Sequence, residues 1–126
     1  MPDAAAQAIL AHACRDAPLE ACGLLVGAAH TVVRIAPTPN GDASPSRYTI
    51  PADVHFAVIR AARLDALEVI GAYHSHPRSP AVPSPTDTAL AFAGFVFVIA
   101  AIVPTPHLRA WRFDDGNFTE VGLVRT

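Results

Sequence analysis

His74 and His76 stand one residue apart at the end of an apolar run, Val69–Tyr73, that reads as a buried strand. Side chains alternate faces along a strand, so both imidazoles leave on one face, about 7 Å apart along the backbone. That spacing suits one metal ion, because Zn–N bonds are about 2.0–2.1 Å and imidazoles are long. Ser84 and Asp87 follow after a loop, Pro77–Pro83, too rich in proline to be helical. Two imidazoles and a carboxylate leave a fourth tetrahedral position open, the pattern of a catalytic rather than a structural zinc.

Each residue also has a plainer reading. A lone histidine at a strand end is usually just hydrogen-bonded, although His-x-His on one strand face is rarer and favours metals. Ser84-Pro85-Thr86-Asp87 is also a helix start, with Ser as N-cap, Pro at the first helical position and an acid in the first turn. The two roles coexist, since a carboxylate held there is rigid and can project toward the strand end. A glutamate before an apolar strand, such as Glu20, is most often solvated. Carboxylates are nevertheless the usual bases for activating water beside zinc.

The rest of the chain must position these groups. Its 126 residues are expected to form one domain, and 52% apolar residues supply a core. A net charge of −2 without a basic run argues against nucleic acid as a partner. Cys14 and Cys22 form neither a disulfide framework nor a CxxC motif. The start of the chain lacks a secretory pattern. The longest apolar run, 89–106, reads as a helix end, a turn and a core strand rather than a membrane span. A cytoplasmic domain with no membrane partner is expected.

In order, the periodicity predicts a helix over Ala4–Asp16, with Asp3 as N-cap, a buried stripe of Ala6, Ile9, Leu10, Ala13 and Ala17, and Pro18 beyond its end. Gly23–Val26 is a strand and Thr31–Ala36 its hairpin partner. Pro37–Ser46 is a loop and Arg47–Ile50 a short extended piece. Pro51 opens a second helix, buried along Val54, Ala57, Val58 and Ala61 to about Asp65. After the metal strand, a third helix runs from Ser84 to about Phe92, with Gly94 as its stop. Phe95–Val103 is apolar on both faces, hence a central strand covered by helices on each side. His107–Phe113, the turn Asp114–Gly116 and Asn117–Val124 complete an α/β fold, a mixed β-sheet sandwiched by helices.

The spacing His74-Ser75-His76, seven residues, Ser84, two residues, Asp87 is similar in full to the signature of the JAMM (MPN+) zinc metalloprotease family. Glu20 followed by Ala-Cys-Gly-Leu-Leu-Val-Gly27 resembles the segment carrying that family's glutamate, and Asn40, Tyr48 and the Tyr73–Pro77 context fit as well. The resemblance covers roughly Leu19–Phe113 and implies an MPN/JAMM (cytidine-deaminase-like) fold over one catalytic domain, 1–126. It implies one zinc per chain on His74, His76 and Asp87, Glu20 as general base, and Ser84 as hydrogen-bond donor to the oxyanion. Ser75 would orient the ligand strand and Cys22 pack.

The chain looks most like stand-alone prokaryotic members. For these the family implies hydrolysis of the amide at the C-terminal Gly-Gly of a ubiquitin-like or sulfur-carrier protein, with the carrier and its conjugate as partners. A homodimer is compatible with the resemblance. The expected groove wall is the strand around Tyr48 or the loop Pro77–Pro83. The alternatives are a non-catalytic MPN scaffold, which typically lacks one or more ligands, and a peptidase for other peptides, usually fused to a second domain.

Overall fold

The computed structural model describes residues 1–126, the side chain at position 90 excepted. Its centre is one six-stranded mixed sheet in the order β2-β1-β3-β4-β5-β6. β1 (Cys22–Ala28) and β2 (Thr31–Thr38) form the expected antiparallel hairpin. β2 runs on through Pro37, which was expected to lie in a loop. An edge strand tolerates a residue without an N–H, so the loop begins later.

β3 (Glu68–His76) pairs antiparallel with β1 and parallel with β4 (Val96–Ala101). Leu25 faces Gly71 while Val26 faces Val69, so Ile70 is an extra residue, a β-bulge. A side chain at Gly71 would run into the carbonyl of Val96, which explains glycine at that close approach. β5 (His107–Asp114) and β6 (Asn117–Val121) close the sheet through a two-residue turn. Its central residues, Asp115 and Gly116, both have positive φ, 52° and 77°, the conformation Asp-Gly favours in tight hairpins.

α1 (Asp3–Asp16) lies on one face, burying Ala5, Ala6, Ile9, His12 and Ala13. Ile9 and Ala13 pack with Leu25, Val32, Tyr73, Val98, Ala100 and Ala110. Asp3 is a first-turn acid rather than the N-cap, which is Pro2. Ala17 is exposed. His12 is buried and placed between two partners: Nδ1 lies 2.7 Å from the Tyr73 hydroxyl and Nε2 3.0 Å from Asp16.

α2 (Ala52–Leu64) covers the other face over β1 and β3, with Val58 against the cluster of Leu24, Val69 and Ala72. Its inward row is Val54, Val58 and Ala62, and the neighbouring Ala57 and Ala61 face solvent, contrary to the expected stripe. Arg47–Ile50 joins no strand pairing.

α3 (Pro85–Leu90) stops two residues short of Phe92. Helices therefore flank the sheet on both faces. Over β4, however, the second cover comes from loop residues: Ala81 against Ile99 and Ala101, and Phe95 against Phe97. No helix among the described residues is long and apolar enough to cross a membrane.

Candidate metal centre

β3 places Ala72, His74 and His76 on the α2 face of the sheet, and the proline-rich loop returns Asp87 to the same place on the first turn of α3. Three atoms converge. His74 Nε2 and His76 Nε2 are 3.2 Å apart, and Asp87 Oδ2 lies 3.1 Å from the first and 3.0 Å from the second. Donors bound tetrahedrally at about 2.0–2.1 Å sit about 3.3–3.4 Å from one another, so the triangle has nearly the size one such ion requires. Among the described residues these three form the one group of ligating side chains close enough to share an ion.

The chemistry of the donors fits the same reading. His76 Nδ1 lies 2.7 Å from the carbonyl of Pro80, which can only accept, so Nδ1 carries the proton and a neutral His76 offers a bare lone pair at Nε2. Two imidazole lone pairs and a carboxylate oxygen pointed at one spot repel unless a cation or a proton lies between them. Burial lowers the pKa of His74 below the usual histidine range, against the pull of Asp87. Burial also opposes charge on His76, but hydrogen bonds to Asp87 and Pro80 outweigh it and raise its pKa. Asp87 is driven well below the ordinary carboxylate range, because the imidazoles and the Ser84 N–H overcome its burial.

α3 has its own reason to hold Asp87 still. The Asp87 N–H donates to Ser84 Oγ (3.1 Å) and the Ser84 N–H donates to Asp87 Oδ2 (2.9 Å), a reciprocal capping box. The cap hydrogen bond and the approach to both imidazoles thus fall on the same oxygen. Ser84 Oγ accepts in this box, which leaves its own proton available. The loop between His76 and Ser84 is tied down twice, by His76 to Pro80 O and by the Trp111 indole N–H to Ala81 O (3.0 Å).

Glu20 is not part of the triangle. The residue is buried, with 3% of its surface exposed, and Oε1 has no hydrogen-bond partner. Burial raises its pKa from 4.5 to about 7, with His76 pulling it down and Asp87 pushing it up. A carboxyl raised this way holds its proton in the folded state between about 4.5 and 7 and is forced to ionise above that. Stability therefore falls as pH rises through this window. In the metal-free protein, Glu20→Gln is expected to melt at a higher temperature than wild type at pH 8. The gap should close by pH 4.5, as read by thermal scans across pH.

Tyr48 stacks on the His74 ring at 4.5 Å and 20°, and it borders an apolar pocket of about 310 Å³ with Ile50, Ala72, Phe92, Phe95 and Phe97. Cys22 turns to β2 instead, with Sγ 3.4 Å from Thr38 Oγ1 and 3.6 Å from Pro39 O.

Residues 2–114 match the family model described as prokaryotic homologs of the JAB domain. The chain belongs to this family. Among JAB-domain relatives, the CysO-cysteine peptidase of Mycobacterium tuberculosis is 39% identical over 119 residues, 90% of this chain and 81% of that protein. A probable TtuB-protein conjugate cleaving protease of Thermus thermophilus is 36% identical over 115 residues, 90% of this chain and 74% of that protein. A JAB1/MPN domain protein from Archaeoglobus fulgidus has the same fold, with a TM-score of 0.64 and 21% identity over 96% of this chain and 93% of that one.

One contact of this JAB domain is invisible in the local sequence. Asn40, a point of the family resemblance, donates its amide N–H to the Glu20 carbonyl (3.1 Å). Its local turn was legible, because an Asn side chain that accepts the N–H two residues on, here Asp42 (2.9 Å), is a standard turn element. The link to Glu20, twenty residues away, had no local signal.

Proposed function

We propose that this chain, as one catalytic domain, is a zinc-dependent peptidase that hydrolyses the amide at the C-terminal Gly-Gly of a ubiquitin-like or sulfur-carrier protein. The observation that carries the reading is the buried His74–His76–Asp87 triangle together with the buried Glu20, whose Oε1 has no partner. The relatives named as a CysO-cysteine peptidase and a TtuB-conjugate protease support the substrate class. His74, His76 and Asp87 would hold the zinc, which when bound supplies Lewis-acid polarisation and makes water more acidic.

The protein's own groups do the rest. Glu20, a carboxyl whose pKa burial raises, takes a proton from the attacking water and later passes it to the leaving amine. The Ser84 hydroxyl, free to donate, stabilises the oxygen that becomes negative. Tyr48 borders both His74 and the apolar pocket, which makes it the candidate groove wall for the carrier tail. A cytoplasmic setting belongs to this reading, supported by two cysteines that are both free.

The test is to incubate zinc-loaded protein with a Gly-Gly-tailed carrier joined either to free cysteine or to a peptide lysine, and to weigh the products. Release of carrier ending in Gly-Gly from one or both supports the proposal. An intact carrier with one zinc per chain points to other peptides, and protein that binds no zinc points to a scaffold. Ser84→Gly tests the donor with little damage to the cap, since glycine at an N-cap costs only a few tenths of a kcal/mol. It is expected to lower kcat by about 10²–10³, with an unchanged melting temperature as the control.

A further inference from the structure

Glu20 and Ala21 lie between α1 and β1, outside either element, yet all four of their backbone polar atoms are bound. The Glu20 N–H donates to Ser44 O (2.8 Å) and the Glu20 carbonyl accepts from Asn40 Nδ2 (3.1 Å). The Ala21 N–H donates to Ser75 Oγ (2.8 Å), and the Ser75 N–H donates to the Ala21 carbonyl (3.0 Å). Ser75 is the residue between the two histidines and is buried, its side chain on the opposite face of β3 from theirs. Asn40 is saturated: its amide also donates to Arg47 O (3.0 Å), and its oxygen accepts from Asp42 N (2.9 Å) and Thr49 N (3.1 Å). At the far end of the Glu20 side chain, Oε1 has no partner. The carboxyl is therefore located from its backbone end.

We propose that Ser75 and Asn40 are positioning residues that clamp the Glu20–Ala21 backbone, Ser75 to the ligand strand and Asn40 to its own loop. Together they fix where the Glu20 carboxyl stands relative to the His74–His76–Asp87 triangle. The inference rests on reading Glu20 as the proton carrier. A displacement of about 1 Å at a reacting group can cost about 10²-fold in rate, so loosening one side of a double clamp is expected to cost kcat about tenfold or more.

The test compares Ser75→Ala, Ser75→Thr and Asn40→Ala in the zinc-loaded protein for kcat, KM and zinc per chain on the Gly-Gly carrier amide. The expected result is a lower kcat in both alanine variants at unchanged KM and zinc content, with Ser75→Thr, which keeps the hydroxyl, near wild type. Asn40 lies outside the ligand strand. If Ser75→Ala alone loses zinc, Asn40→Ala decides: a fall in its kcat supports the clamp. Unchanged kcat in a zinc-loaded alanine variant, a rise in KM alone, zinc loss in both, or a threonine as poor as alanine overturns it. Glu20→Ala run in parallel separates the two levels, because full activity there removes the proton-carrier reading itself.

Discussion

Glu20→Ala is expected to lower the rate of carrier-amide hydrolysis by about 10²–10⁴, the usual worth of a positioned acid–base group, while the fold and one zinc per chain are retained. Two features make the effect large and clean. Glu20 is buried and stands outside the His74–His76–Asp87 group, so its removal takes away none of the three donors. Burial raises its pKa above the ordinary carboxylate value, which suits a group that must accept a proton and later return it to the leaving amine. The backbone around it is held by Ser44, Asn40 and Ser75, none of which depends on the carboxyl, so the alanine variant keeps its local structure. Steady-state cleavage, zinc content and thermal melting on one preparation check all three parts. Full activity in Glu20→Ala would sink the assignment of the base.

His76→Ala is expected to abolish both hydrolysis and stoichiometric zinc. The substitution removes one corner of a triangle whose edges are 3.0–3.2 Å, and two donors seldom hold zinc in competition with water. It also removes the tie from Nδ1 to Pro80 O, so the loop that carries the chain toward Ser84 loses one of its two anchors. The control is His30→Ala, an exposed histidine in the β1–β2 turn, which should keep zinc and activity. Zinc measured per chain after gel filtration, together with cleavage, gives the answer. A variant that retained one zinc per chain would show that His76 is not a ligand.

What could be read from the sequence was what is written locally. The β3 strand with its two histidines on one face, the Asp-Gly hairpin and the Ser84–Asp87 helix start each follow from a pattern within a few residues, and the structure contains all of them. The bulge at Ile70 was not legible, because a bulge depends on how two strands distant in sequence fall into register. α2 was placed correctly but its inward row was not. Ala57 and Ala61 are apolar like Val54 and Val58, and only the distance to the sheet decides which row is covered. The buried contact of His12 with Tyr73 has no local signal either, because the two lie 61 residues apart. The site divided in the same way. His74, His76, Ser84 and Asp87 were visible as a motif, whereas the groups that hold the Glu20 backbone come from two distant stretches, the loop of Asn40 and Ser44 and strand β3 at Ser75.

β3 and β4 are parallel neighbours in a sheet whose other pairs are all antiparallel. Antiparallel strands can be joined by a two-residue hairpin, but a parallel pair demands that the chain travel back to the starting edge before it pairs again. That return journey runs from His76 to Val96, and it begins where the two imidazoles end. An antiparallel partner reached by a tight turn would carry the chain straight back past them, with no segment free to bring a carboxylate and a hydroxyl around to face the histidines. In this architecture the direction of one strand creates the detour, and the detour delivers Ser84 and Asp87.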